Sequence, residues 1–381
     1  FIIAIFSKDI SLCLFGTEKH QVLVAVALIT ISFNLWYTPY ALYARMENRM
    51  FLFAMVNVSA SLLMIGSNIV FVSVMHLGAF ALILSSAIVQ LFQMLAYLVF
   101  MPKIFKYREY DKQLLKKMLK YSIPIIPTAI AAWFLNLSDR YIILHYFSAA
   151  EVGIYGIGAR FSSVLSILSN AVFTAYTTFA FDKKDDEDAK YQYKRVLGFY
   201  YMILMIICIF VTMWGKEIIA LMSNSAYGAA YLLLPGLLFG QVMYGVSVIV
   251  GYGLSFEKKT NYILAANVIG AVLNIVLNFA FIPGFGPEAA AYTTYIGYFI
   301  MAILLYAFAQ KFYPCDYAIS KVIISNIVII ALASFMNHYE MALGIRVLLT
   351  AAGLALICVL YRDAIKDTFM ILARVKRKIR G

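Results

Sequence analysis

Apolar residues in this chain come in runs long enough to cross a bilayer, separated by short polar punctuation. A helix crosses a ~30 Å hydrocarbon core with about 20 residues. Windows of that length fall at 20–42, 51–74, 78–101, 121–143, 152–180, 197–215, 229–254, 262–283, 288–310, 319–337 and 342–361. The pattern predicts eleven complete membrane helices and no strands. The opening FIIAIF carries no basic lead of the kind that starts a signal peptide, and it reads as the tail of a further span whose beginning is missing.

Composition narrows the class. Hydrophobic residues make up 64% of the chain and charged residues 13%, about half the charged share of a soluble domain. With a mean hydropathy of +0.85, the chain is expected to be an all-α polytopic membrane protein. A net charge of +12 in a soluble protein would suggest nucleic acid, but here no nucleic-acid partner is expected, because cytoplasmic loops of membrane proteins collect Lys and Arg. The loops 43–50, 102–120, 182–195, 256–260 and 310–317, with the tail from 362, hold 24 of the 31 basic residues, while the alternate loops hold only Lys8, Lys19 and Lys216. The first set is therefore placed on the cytoplasmic side, the C-terminus with it. The loop KIFKYREYDKQLLKKMLK and the tail ARVKRKIRG also suit anionic lipid headgroups, beside the plainer reading as orientation signals. Cys13, Cys208, Cys315 and Cys358 show no paired spacing and no neighbouring His cluster, so neither a disulfide framework nor a metal site is expected.

The chain also matches itself at an offset of 210 residues. Glu47, Asn57, Val58, Leu63, Ile65, Asn68, Phe71, Ala79 and Ala81 recur as Glu257, Asn267, Val268, Leu273, Ile275, Asn278, Phe281, Ala289 and Ala291. Both copies start in cytoplasmic loops, so they are parallel repeats of the type in which a transport path lies between two halves. The expected architecture is two six-helix lobes plus two C-terminal helices, with the first lobe short of its N-terminal helices. The expected divisions are 1–110 for the first lobe, 111–312 for the second, and 313–381 for the extra helices and basic tail.

The stretch LKYSIPIIPTAIAAWFLNLSDRYIILHYFSAAEVGIYGIGARFSSV carries a resemblance. Its basic lead KKMLKYSIPIIP, the NLSDRYII element and EVGIYGIGARF resemble the centre of the polysaccharide transport family, within the multidrug/oligosaccharidyl-lipid/polysaccharide exporter superfamily. The resemblance extends over essentially the whole chain. It implies a non-enzymatic flippase of the cytoplasmic (inner) membrane that moves polyprenyl-linked oligosaccharide units outward by alternating access, without a cofactor, alongside other polysaccharide-assembly membrane proteins. Two alternatives stand beside it: a multidrug exporter of the same superfamily, and a membrane polysaccharide polymerase, which the short outer loops disfavour. No GxxxxGK phosphate loop is present, so an ATP-driven pump of one chain is not expected, and coupling to a cation gradient stands as the alternative drive.

Candidate residues follow from depth. Counted from a cytoplasmic start at residue 121, Asp139 lies ~27 Å along its helix, close to the outer rim. With Arg140 it reads either as an interfacial structural pair, or as an ion-coupling carboxylate beside a substrate contact. Arg160 follows the turn SAAEVG and lies ~13 Å down the next helix, near the midplane. A guanidinium there suits the diphosphate of a lipid-linked sugar, or pairs structurally with Asp139 or Glu151. Asn267, Asn274 and Asn278 share one helical face, and read as substrate contacts or as interhelical glue. Pro124 and Pro127 are expected to break their helix. Arg346 and Lys321 sit near span ends and are expected to snorkel.

Overall fold

The computed structural model describes residues 6–47, 49–102, 111–123, 137–339 and 341–365, and among these it contains helices and turns but no strand. The helices are α1 (Ser7–Phe15), α2 (Gln21–Met46), α3 (Met50–Asn68, continued as a π-helix over Ile69–Val74), α4 (Ala79–Phe100) and α5 (Lys112–Ser122). They continue with α6 (137–146), α7 (Ala149–Asp182), α8 (Ala189–Met213), α9 (Gly215–Met222) and α10 (Leu234–Phe256). The last are α11 (Thr260–Phe285), α12 (Pro287–Phe312), α13 (Ile319–His338) and α14 (Leu343–Leu360). Ten of the eleven expected spans appear as helices long and apolar enough to cross a membrane. The remaining one, 121–143, falls largely outside the described residues, and so do Pro124 and Pro127. The protein is a polytopic membrane protein.

Contacts divide the chain into Phe1–Leu119 and Lys120–Gly381. In the first unit, α4 packs against α2 and α3 around a small core of Ala44, Val56, Tyr97 and Met101. In the second, α10 is the most buried of the described spans, and α7, α8 and α12 pack around it. The C-terminal pair α13 and α14 also packs on α8.

Two close approaches in the second unit position the site. At Gly236 an added Cβ would lie 2.5 Å from the backbone carbon of Ala291, so the missing side chain lets α10 and α12 touch backbone to backbone. At Gly297 an added Cβ would lie 3.0 Å from the Gly270 carbonyl and 3.1 Å from Asn274 Cβ, which brings α11 against α12. The polar residues of α11 are thereby pressed onto the Thr pair of α12.

The repeat is visible in local structure. Glu47 and Glu257 are the C-cap residues of α2 and α10, and a long apolar helix follows each. In each copy a glycine with positive φ caps the start of the next helix, Gly78 at 56° before α4 and Gly286 at 72° before α12. In the second copy Pro283 stays inside α11 rather than forming the turn, which is made by Gly286 with Pro287 opening α12.

One expectation is corrected by the C-terminal pair. Arg346 does not snorkel. Its guanidinium forms a bidentate pair with Glu217 on α9, Nη1 to Oε1 at 2.5 Å and Nη2 to Oε2 at 2.9 Å. It also donates to the Met213 carbonyl at 2.5 Å and lies over the Trp214 ring. A planar fork with a carboxylate and an aromatic face in reach gains more there than at a headgroup. Arg346 holds the Glu217 carboxyl below the ordinary carboxylate range.

Candidate functional site: a buried carboxylate among four helices

Four helices converge about 10 to 13 Å from the turns at Ser148 and Gly286, by residue count. The turn at Ser148 separates α6 from α7, and its hydroxyl caps α7 by accepting from Glu151 N. It folds α7 back so that Tyr155 faces Asp139. Ile142 and Ile143, one turn from Asp139 on the same helix, are buried with Tyr155, Leu237, Ile282 and Ala290, which fixes the roll of α6 and turns Asp139 inward.

Asp139 is 7% exposed, and three side chains address its carboxylate. Tyr155 Oη donates to Oδ2 at 2.7 Å, and Asn278 Nδ2 donates to Oδ1 at 2.5 Å. Thr294 Oγ1 lies 3.1 Å from Oδ2 and 2.9 Å from the Ala290 carbonyl, so two acceptors share one hydroxyl proton. Behind these stands a second layer. Asn278 Nδ2 also reaches Asn274 Oδ1 at 3.3 Å, Asn274 Nδ2 donates to Thr294 Oγ1 at 3.2 Å, and Thr293 Oγ1 donates to Asn278 Oδ1. A buried carboxylate is costly unless hydrogen-bonded, and this network meets that need.

The structure brings Asp139, Asn274 and Asn278 together and leaves the other candidates elsewhere. Arg140 is half-buried beside Asp139, while Asn267 and Arg160 are exposed. The shared face of the three asparagines thus splits, because α12 covers Asn274 and Asn278 but not Asn267. Nine residues separate Asp139 from Ser148, so it lies ~13 Å from that turn along the helix, and the helix runs to 146, three residues past the end of the hydropathy window. Arg160 forms an ion pair with neither Asp139 nor Glu151 among the described residues. It lies eleven residues into α7, ~17 Å along its axis.

Three members of the network, Tyr155, Thr293 and Thr294, were not among the sequence candidates. Adjacent threonines within an apolar helix were the available signal. Their importance depends on the Gly270–Gly297 contact, which no local pattern reveals.

In chemical terms the site is a buried carboxylate held by two hydroxyl donors and one amide N–H, with Asn278 presenting its nitrogen to Asp139 and its oxygen to Thr293.

The MatE family profile matches residues 124–280. A probable low-salt glycan biosynthesis flippase, Agl15, from Haloferax volcanii is 23% identical over 239 residues, 61% of this chain and 50% of the relative. The chain thus spans half the length of that curated relative. The fold is similar to that of a lipid II flippase, MurJ, in an inward closed conformation, with a TM-score of 0.69, 17% identity, and coverage of 96% of this chain and 80% of the other. Residues 124–280 thus match the MatE family, and the fold is that of the lipid II flippase neighbour. The fold is also similar to the crystal structure of a MATE mutant, with a TM-score of 0.58, 14% identity, and coverage of 81% of this chain and 75% of the other. The MatE match includes Asp139, Arg160, Asn274 and Asn278 and ends before the Thr pair of α12.

Proposed function

We propose that this chain forms part of a flippase that carries lipid-linked oligosaccharide units from the cytoplasmic to the outer face of the inner membrane, by alternating access of two lobes. The observation that carries the reading is Arg160: a guanidinium ~17 Å along the long apolar helix α7, exposed and unpaired among the described residues. At that depth an exposed side chain faces either lipid or a water-filled path, and a charge belongs in the second. A planar guanidinium in such a path offers paired donors to a diphosphate. The names of the glycan flippase and the lipid II flippase support this substrate class over a small cationic drug.

The Asp139 network supplies the drive in this reading. Turning the Asn278 amide over presents its oxygen beside Asp139, and a monovalent cation or a proton then replaces the amide hydrogen as the partner of the carboxylate. Because α6, α7, α11 and α12 all contribute, binding there draws four helices together. Release lets them part, and this couples the cation gradient to the lobe movement.

The complete gene, placed in cells lacking their own flippase, is expected to restore surface polysaccharide. Arg160→Ala is expected to abolish that rescue while the protein still reaches the membrane. Full rescue by Arg160→Ala removes the phosphate role. Restored drug resistance with no effect on polysaccharide favours a multidrug exporter instead.

A further inference from the structure

The structure assigns a second membrane-binding element: α5 is an interfacial helix whose lysines select anionic phospholipid at the cytoplasmic surface. The assignment rests on the cytoplasmic placement of the 102–120 loop, read from the distribution of Lys and Arg along the chain.

Asp111 starts this helix. Its carboxylate accepts from Gln113 N at 2.7 Å and from Leu114 N at 3.1 Å, an N-cap. From there Lys112–Ser122 runs as eleven helical residues. At 100° per residue, Leu114, Leu115, Met118 and Leu119 fall within an arc of about 140°, and Lys112, Gln113, Lys116 and Lys117 fill the opposite arc of about 140°. Over Lys112–Leu119 the amphipathic division is complete, and no acidic residue lies within the helix.

The apolar face is not covered by protein. Leu114 is 55% exposed, Leu115 40%, Met118 58% and Leu119 48%. An isolated helix of about a dozen residues is marginal in water, so this one needs a surface. The chain around it supplies the argument for which surface. α4, a membrane span, ends at Phe100, and α5 begins twelve residues later, within reach of the same leaflet. An apolar arc set into the headgroup boundary, with lysines rising to the phosphates, is the arrangement that interfacial helices adopt. Each lysine near an anionic surface adds about fivefold in affinity.

The test uses spin labels on the full chain reconstituted in vesicles, with Cys13 and Cys358 replaced by alanine. Labels go at Leu115→Cys and Met118→Cys on one face, and at Gln113→Cys and Lys117→Cys on the other. In phosphatidylcholine vesicles containing phosphatidylglycerol, oxygen is expected to relax the 115 and 118 labels more than a water-soluble nickel chelate does, with the reverse at 113 and 117. Removing phosphatidylglycerol, or replacing Lys112 and Lys116 with glutamate, is expected to collapse that contrast, and glutamine is expected to give an intermediate result. Equal nickel access at all four positions overturns the interfacial assignment. An undiminished contrast in pure phosphatidylcholine overturns the selection of anionic lipid. Neither readout requires transport, so flippase activity can fail without affecting this result.

Discussion

Replacing Asp139 with asparagine or with alanine separates the charge at this site from its hydrogen bonds. In Asp139→Asn the amide oxygen takes the place of Oδ2 and continues to accept from Tyr155 and Thr294. The new NH2 faces the Asn278 amide, which turns over to present its oxygen. Thr293, which now donates to that oxygen, keeps an alternative acceptor in the Ala290 carbonyl at 3.0 Å. Every group regains a partner except Asn274 Oδ1, which loses the Asn278 proton at 3.3 Å, so the expected stability change is about 1 kcal/mol. Asp139→Ala offers no such repair. The Tyr155 hydroxyl and one Asn278 proton lose their acceptor in a buried site, at about 1 to 3 kcal/mol each, while Thr294 keeps Ala290. The expected cost is about 2 to 5 kcal/mol. Thermal unfolding of the purified protein measures both variants, with and without alkali-metal salt at constant ionic strength. A cation present at 100 times its dissociation constant stabilises the wild type by about 2.7 kcal/mol, and that increment is expected to vanish in Asp139→Asn although its baseline stability is kept. A persistent cation-dependent shift in Asp139→Asn refutes the role of the carboxylate, and wild-type stability in Asp139→Ala refutes the network accounting.

Further outcomes follow from other contacts. Arg160→Ala is expected to leave stability within about 0.5 kcal/mol, because the side chain is exposed, and the same thermal assay checks that the loss of rescue is functional. Gly297→Leu forces α11 away from α12, with an expected cost of about 1 to 3 kcal/mol. It is also expected to reduce the cation-dependent increment, since Asn274 is the residue it meets. Glu217 has a folded pKa lowered by Arg346, so its contribution is present above the ordinary carboxylate range and lost as the pH falls through the folded value. Wild type is expected to exceed Glu217→Gln by about 0.5 to 1 kcal/mol near neutrality, a modest figure because the carboxylate is half exposed, and the two unfolding curves are expected to converge in acid.

Much of the architecture was legible along the chain because the bilayer imposes a length on every span and gathers Lys and Arg in alternate loops. Ten windows, the parallel repeat at Glu47 and Glu257, and the NLSDR and EVGIYGIGARF elements all follow from one-dimensional pattern. Asp139, Asn274 and Asn278 were visible as anomalies for the same reason, since a polar residue in an apolar run is costly and stands out. Tertiary structure alone decided which anomalies meet. Residues 139, 155, 278 and 294 are distant in sequence. They share a site because glycines at 236, 270 and 297 let backbones approach and because a capped turn at Ser148 folds α7 back on α6. The same packing separated Asn267 from its helical partners and gave Arg346 a carboxylate in place of the headgroup region. Hydropathy reports how deeply a side chain lies in the membrane, but what it faces there is set by the neighbouring helices.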